Sequence, residues 1–128
     1  MNTISLYLLV ALFTWHWLAD YTWLSTKTML AAKAKGTPLF PIFCHALCHA
    51  LPMWVIMLNF GVKSPMLLRL YALQLLSHFL FDVLKGRCTV WFPITANFAA
   101  KPYWIVMGFD QLLHSTVIML MVYWAKLS

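Results

Sequence analysis

Pro102-Tyr-Trp-Ile-Val-Met-Gly-Phe-Asp110-Gln-Leu-Leu-His114-Ser-Thr-Val-Ile-Met-Leu-Met-Val-Tyr-Trp124 is an apolar run with one acid and one imidazole set into it. Its length is close to the ~20 residues that carry a helix across a hydrocarbon core of ~30 Å. Asp110 and His114 stand one turn apart, so their side chains share a face and reach a common point. The same spacing recurs at His16/Asp20, His45/His49 and His78/Asp82. These four pairs use all five histidines and all three carboxylates, for the chain has aspartate but no glutamate. Random placement would give roughly one such pair or fewer. The pairs therefore read as one site.

Composition sets the class. Of 128 residues, 63% are hydrophobic and 9% charged, and the mean hydropathy is +0.80, far from an ordinary water-soluble domain. Four apolar runs, at about 3–23, 41–60, 65–85 and 102–124, are each long enough to span. Runs of this length without strict alternation predict helices, since a backbone in lipid must satisfy its own hydrogen bonds. The expectation is an all-α integral membrane protein, a single transmembrane domain over 1–128 folded as an up-down-up-down four-helix bundle. The first run has no basic leader and holds Asp20 near its far end, which predicts a retained helix and not a cleaved signal peptide.

The connections are short. Residues 24–35 form a mildly amphipathic stretch closed by Gly36 and Pro38, predicted to lie along the membrane surface and to carry no chemistry. Pro41 and Pro65 suit first-turn positions. Pro52 cannot donate to the Cys48 carbonyl, so a kink is expected beside His49. The third helix is expected to stop at Gly86. Residues 87–101, with Trp91, Phe92, Pro93 and Asn97, are too short and broken to span and predict a surface loop or a shallow re-entrant lid.

Charge gives the orientation. Lys27, Lys33, Lys35, Lys85, Arg87 and Lys101 fall on the side where the first and third helices end, against Lys63, Arg69 and Lys126 on the other. The positive excess marks the cytoplasmic face, so both termini are expected to point away from the cytoplasm. Topology thus accounts for the net charge of +6, with membrane lipids and not nucleic acid as the partner. In that bundle all four pairs lie roughly 8 to 13 Å inside the cytoplasmic boundary. A carboxylate at such depth costs about 2.5–3.5 kcal/mol even on a lenient scale. With the lysines in loops and Arg69 at another level, the histidines or a bound cation are the partners on offer.

Imidazole with carboxylate is the ligand set of zinc, manganese or iron. His16, Asp20, His45, His49, His78, Asp82, Asp110 and His114 suit two divalent ions, with open positions for water. Cys44 and Cys48, also four apart, offer thiolates, or are small apolar filler. Cys88 faces the reducing side, where no disulfide is expected.

His16-x-x-Ala19-Asp20-Tyr21, the paired-histidine second helix, His78-x-x-x-Asp82-x-x-Lys85 and Asp110-Gln111-x-x-His114 together resemble a family of small uncharacterised prokaryotic membrane proteins, a domain of unknown function. More distantly they are similar to the supposed membrane-bound metal-dependent hydrolases of bacteria. The resemblance covers nearly the whole chain and implies a multi-helix inner-membrane protein with a metal site. The Cys44/Cys48 pair falls outside its pattern.

In a hydrolase, Asp20, Asp82 or Asp110 must serve as the base, there being no glutamate. Lys85, Arg87 and Lys101 lie just outside the site on the same face and would hold the phosphate of an amphiphilic phosphorylated substrate; as plain positive-inside charge they need no substrate. Three other readings use the same residues: a metal or proton transporter or sensor, a purely structural polar network, and a haem ligated by facing histidines. Against transport, the outer halves of the helices hold no ionisable residue but Arg69.

Overall fold

The computed structural model describes residues 3–126, and among these every regular element is helical. Four helices are long and apolar enough to cross a membrane: α1 (Thr3–Tyr21), α3 (Leu39–Asn59), α4 (Ser64–Trp91) and α5 (Lys101–Ala125). Between them lie a shorter α2 (Lys27–Lys35) and a 3₁₀ turn (Pro93–Ala96). At most 33% of the apolar window of each long helix is buried inside the protein. Its outward faces expose Tyr7, Trp17, Leu68, Leu76, Phe109, Leu112 and Met119, which is the surface a lipid-facing bundle presents.

The long helices pack in a ring, α1 on α3, α3 on α4, α4 on α5 and α5 back on α1. Leu8, Leu12, Met53, Met57, Leu70, Ile118 and Met121 fill one end of its interior. Proline opens three of the helices: Pro41 lies in the first turn of α3, Pro65 in that of α4 and Pro102 in that of α5, where a missing N–H leaves no bond unmade. Pro52 does not break α3, which runs unbroken from Leu39 to Asn59. The Cys48 carbonyl, deprived of its usual donor by that proline, accepts instead from Trp15 Nε1 at 3.0 Å.

Two expectations about the connections give way. The stretch after α1 is not a strap along the surface: α2 packs against α3 and α4, with Ala32 and Lys33 buried. Thr26 caps its start by accepting from the Met29 N–H, and Gly36, at φ 68°, ends it in the left-handed region that glycine tolerates. Nor does α4 stop at Gly86. That glycine is where α2 meets α4, because a Cβ there would run into the Gly36 nitrogen and the Lys33 carbonyl. Gly86 thus serves close helix approach, and α4 continues to Trp91. Thr89, one turn on, donates to the Ala34 carbonyl at 2.6 Å and ties down the end of α2.

The extended α4 takes up the first part of residues 87–101. The remainder is the 3₁₀ turn, which packs on α4 and α5 with Thr95 buried, and a turn in which Asn97 Oδ1 accepts from the Ala99 N–H at 3.0 Å.

Candidate metal centre

Each long helix delivers one of the i, i+4 pairs to the interior: α1 His16 and Asp20, α3 His45 and His49, α4 His78 and Asp82, α5 Asp110 and His114. All are buried except Asp20, which is partly exposed. The five imidazoles touch in one cluster, with ring centroids 3.8 Å apart for His49 and His78, 4.3 Å for His78 and His114, 4.7 Å for His45 and His49, and 4.9 Å for His16 and His49.

Two sets of donor atoms converge closely enough to hold an ion, Asp20 with His45, His49 and His78, and His78 with Asp82 and His114. In the first, Asp20 Oδ1 is 3.0 Å from His45 Nε2 and 3.5 Å from His49 Nε2, and the two nitrogens are 3.2 Å apart. Ligand bonds of 2.0–2.1 Å in a tetrahedral site put neighbouring donors about 3.3 Å apart, so this triangle has the size of a coordination face. In the second, His78 Nε2 stands 3.4 Å from Asp82 Oδ2. Both nitrogens of His78 and of His114 and both oxygens of Asp82 are buried without a hydrogen-bond partner, as are His16 Nε2 and Asp110 Oδ1. Leaving such atoms unmet costs about 1–3 kcal/mol each, and a cation between the second set would meet several at once.

His16 and Asp110 belong to neither set. His16 Nδ1 lies 3.2 Å from His49 Nδ1 and its Nε2 3.4 Å from Asp20 Oδ2, behind the first triangle. Asp110 sits at the margin, where Lys85 Nζ donates to its Oδ2 at 2.9 Å and Gln111 Nε2 at 3.3 Å. Cys44 and Cys48 are half-buried and free, and contribute to neither set.

Lys33 is the residue that sequence reading missed. Docking of α2 carries its ammonium into the first set, 3.0 Å from Asp20 Oδ1, 2.8 Å from His45 Nε2 and 3.3 Å from Asp82 Oδ1. The last approach is electrostatic and off the hydrogen-bond direction, which is why Asp82 Oδ1 remains unpartnered. Burial pulls the Lys33 ammonium down, but Asp82 and Asp20 outweigh it and hold the group above its ordinary value. Lys33 is therefore charged, and the three aspartates face two buried or half-buried lysines as well as histidines.

Ser25 was missed too. It donates to the Ala19 carbonyl at 2.8 Å, and its oxygen lies 3.3 Å from His45 Nδ1. With its own proton committed, the hydroxyl accepts from Nδ1–H, which turns the lone pair of His45 onto Nε2, toward the triangle.

A cavity of about 300 Å³ adjoins the centre at the α2 end, with Asp20, Lys33, Lys85, Gln111, Thr89 and Tyr103 on its walls. Of the three basic residues expected to meet a substrate, Lys85 lines this cavity. Lys101 is exposed, and Arg87 packs its backbone against Gly36. At the other end, the apolar layer of Leu8, Leu12, Met53, Met57, Leu70, Ile118 and Met121 backs the cluster.

The family described as "Protein of unknown function (DUF3307)" matches residues 8–128. No curated protein matches the chain, and no solved structure does.

Proposed function

The chain belongs to that family, whose description assigns no activity, and from the geometry of the centre we propose that it is a membrane-embedded metal-binding protein acting as a metal-dependent hydrolase. Its substrate is phosphorylated and amphiphilic, taken from the cytoplasmic side of a bacterial inner membrane in which the helices run up-down-up-down with both termini outside. Carrying the reading is the burial of His78, Asp82 and His114 together with their imidazole and carboxylate atoms free of hydrogen bonds, the Lys33 ammonium 3.3 Å from Asp82 Oδ1 being, among the described residues, the one cation beside them.

The His78/Asp82/His114 set is the first cation position. The Asp20/His45/His49 triangle is the second, in competition with the Lys33 ammonium that already touches two of its corners. His78 is common to both. Nitrogen and oxygen donors of this kind suit zinc, manganese or iron(II). A cation bound there supplies Lewis acidity and lowers the pKa of water. The chain's own groups do the rest: Lys85 and Lys33 attract the phosphate into the adjoining cavity, and Asp20, on its wall, takes the proton of the attacking water. Water adds to phosphorus, the ester P–O bond breaks, and that proton passes to the departing alcohol oxygen. The apolar layer behind the cluster favours this one-sided pocket over a transport path.

Elemental analysis of the purified protein, with phosphate release from dodecyl phosphate measured alongside, tests the reading. Wild-type protein should retain a divalent transition metal and release phosphate, and His78→Ala should lose both. Metal retained equally by His78→Ala, or no metal bound by either protein, overturns it.

A further inference from the structure

A second cavity, of about 310 Å³, lies between α4 and α5, walled by Phe81, Leu84, Cys88, Ile105, Val106 and Phe109, with Lys85 and Asp110 at its polar edge. Lys85 also lines the cavity beside the metal centre. One side chain thus borders two spaces of opposite character, a polar one reaching Asp20 and Lys33 and an apolar one on the outer face of two spanning helices. Leu84, Ile105 and Phe109 are all at least half exposed on that face, so the groove opens sideways, toward lipid.

We propose that this groove holds the hydrocarbon chain of a single-tailed phosphorylated amphiphile whose head lies in the polar cavity, with Lys85 at the join. The inference rests on the hydrolase reading above and deepens it by naming the shape of the substrate. Volume and charge both argue for it. The groove has room for about ten water-sized or methylene-sized groups at ~30 Å³ each, one chain and not two. The Lys85 ammonium has three donors and Asp110 engages one, at 2.9 Å, so two remain for a phosphate oxygen. Lys33 adds a second positive charge to the lining of the head cavity. A chain bound sideways stays in the bilayer while its head reaches the centre, so the molecule need not leave the lipid to be hydrolysed.

Cys88 lines the groove and is a built-in reporter. In a Cys44→Ala/Cys48→Ala background, reconstituted in phosphatidylcholine vesicles, its alkylation by N-ethylmaleimide is followed with and without dodecylphosphonate, whose C–P bond resists hydrolysis. Dodecylphosphonate should slow the reaction tenfold or more. Inorganic phosphate, which has the head alone, and dodecanol, which has the chain alone, should leave it nearly unchanged. Lys85→Gln should lose the protection, and so should Ile105→Trp, which fills the groove from a lipid-facing position and keeps Lys85. No protection by dodecylphosphonate overturns the proposal, as does equal protection by dodecanol or by inorganic phosphate. Protection without any phosphate release from dodecyl phosphate would sink the hydrolase reading and leave the binding mode standing; release without protection would do the reverse.

Discussion

Replacing Lys33 by methionine keeps most of the side chain's bulk and removes the ammonium that stands 3.0 Å from Asp20 Oδ1 and 2.8 Å from His45 Nε2. A divalent ion seated on the Asp20/His45/His49 triangle would lie about 3 Å from that ammonium, and at an effective dielectric constant of ~20 the repulsion is on the order of 11 kcal/mol. Ligand bonds do not overcome so large an opposition easily, so the wild-type protein should hold its one tightly bound equivalent at His78, Asp82 and His114, a set that Lys33 approaches at a single atom, Asp82 Oδ1 at 3.3 Å, and not at two. In Lys33→Met the opposition is gone, and Asp82, buried, and Asp20, partly exposed, are left short of positive charge. Without metal the variant should be less stable by about 3–5 kcal/mol, the usual loss when one partner of a buried ion pair is removed. Added manganese or zinc should restore most of that loss, and bound metal should rise from one equivalent to two. Thermal unfolding in detergent with and without metal reads the first effect, and elemental analysis after gel filtration reads the second. A variant that still binds one equivalent, or that binds none, would refute the competition.

Two further substitutions probe the supports of the centre. Ser25→Ala removes the acceptor that holds His45 Nδ1 at 3.3 Å and frees the ring to present its proton to the triangle; affinity for the second metal in the Lys33→Met background should fall about 10- to 100-fold, measured by competition with a chelating dye. Gly86→Ala places a methyl against the Gly36 nitrogen and the Lys33 carbonyl, which pushes α2 off α4 and draws Lys33 out of the centre. Its expected signature is faster proteolysis within α2, together with a second metal equivalent as in Lys33→Met; unchanged proteolysis would mean that the α2–α4 contact is not as tight as described.

The four long apolar helices and the four-residue pairing of acids and imidazoles were legible because both are local. An apolar run of the right length and a four-residue spacing need no tertiary information, and the structure brings all four pairs into one cluster in which every member but Asp20 is buried. Lys33 was not legible, for it belongs to a nine-residue helix with Lys27 and Lys35 and carries the same charge signal that marks any cytoplasmic loop. Only the docking of α2 distinguishes it. That docking depends on Gly86, a residue whose commonest meaning near a helix end is a stop and which here permits a crossing. Ser25 escaped for the same reason, since its partner His45 is twenty residues away. Trp15 shows a milder case: Pro52 announced an orphaned carbonyl at Cys48, but nothing local said that an indole from α1 would meet it.

X-ray absorption at the edge of whichever metal co-purifies looks directly at the cluster of buried imidazoles and carboxylates. A first shell of nitrogen and oxygen at about 2.0–2.2 Å, with the outer-ring scattering of at least two imidazoles and no sulfur, is the predicted result. A shell of oxygen alone, a thiolate contribution from Cys44 or Cys48, or protein that takes up no metal would contradict it.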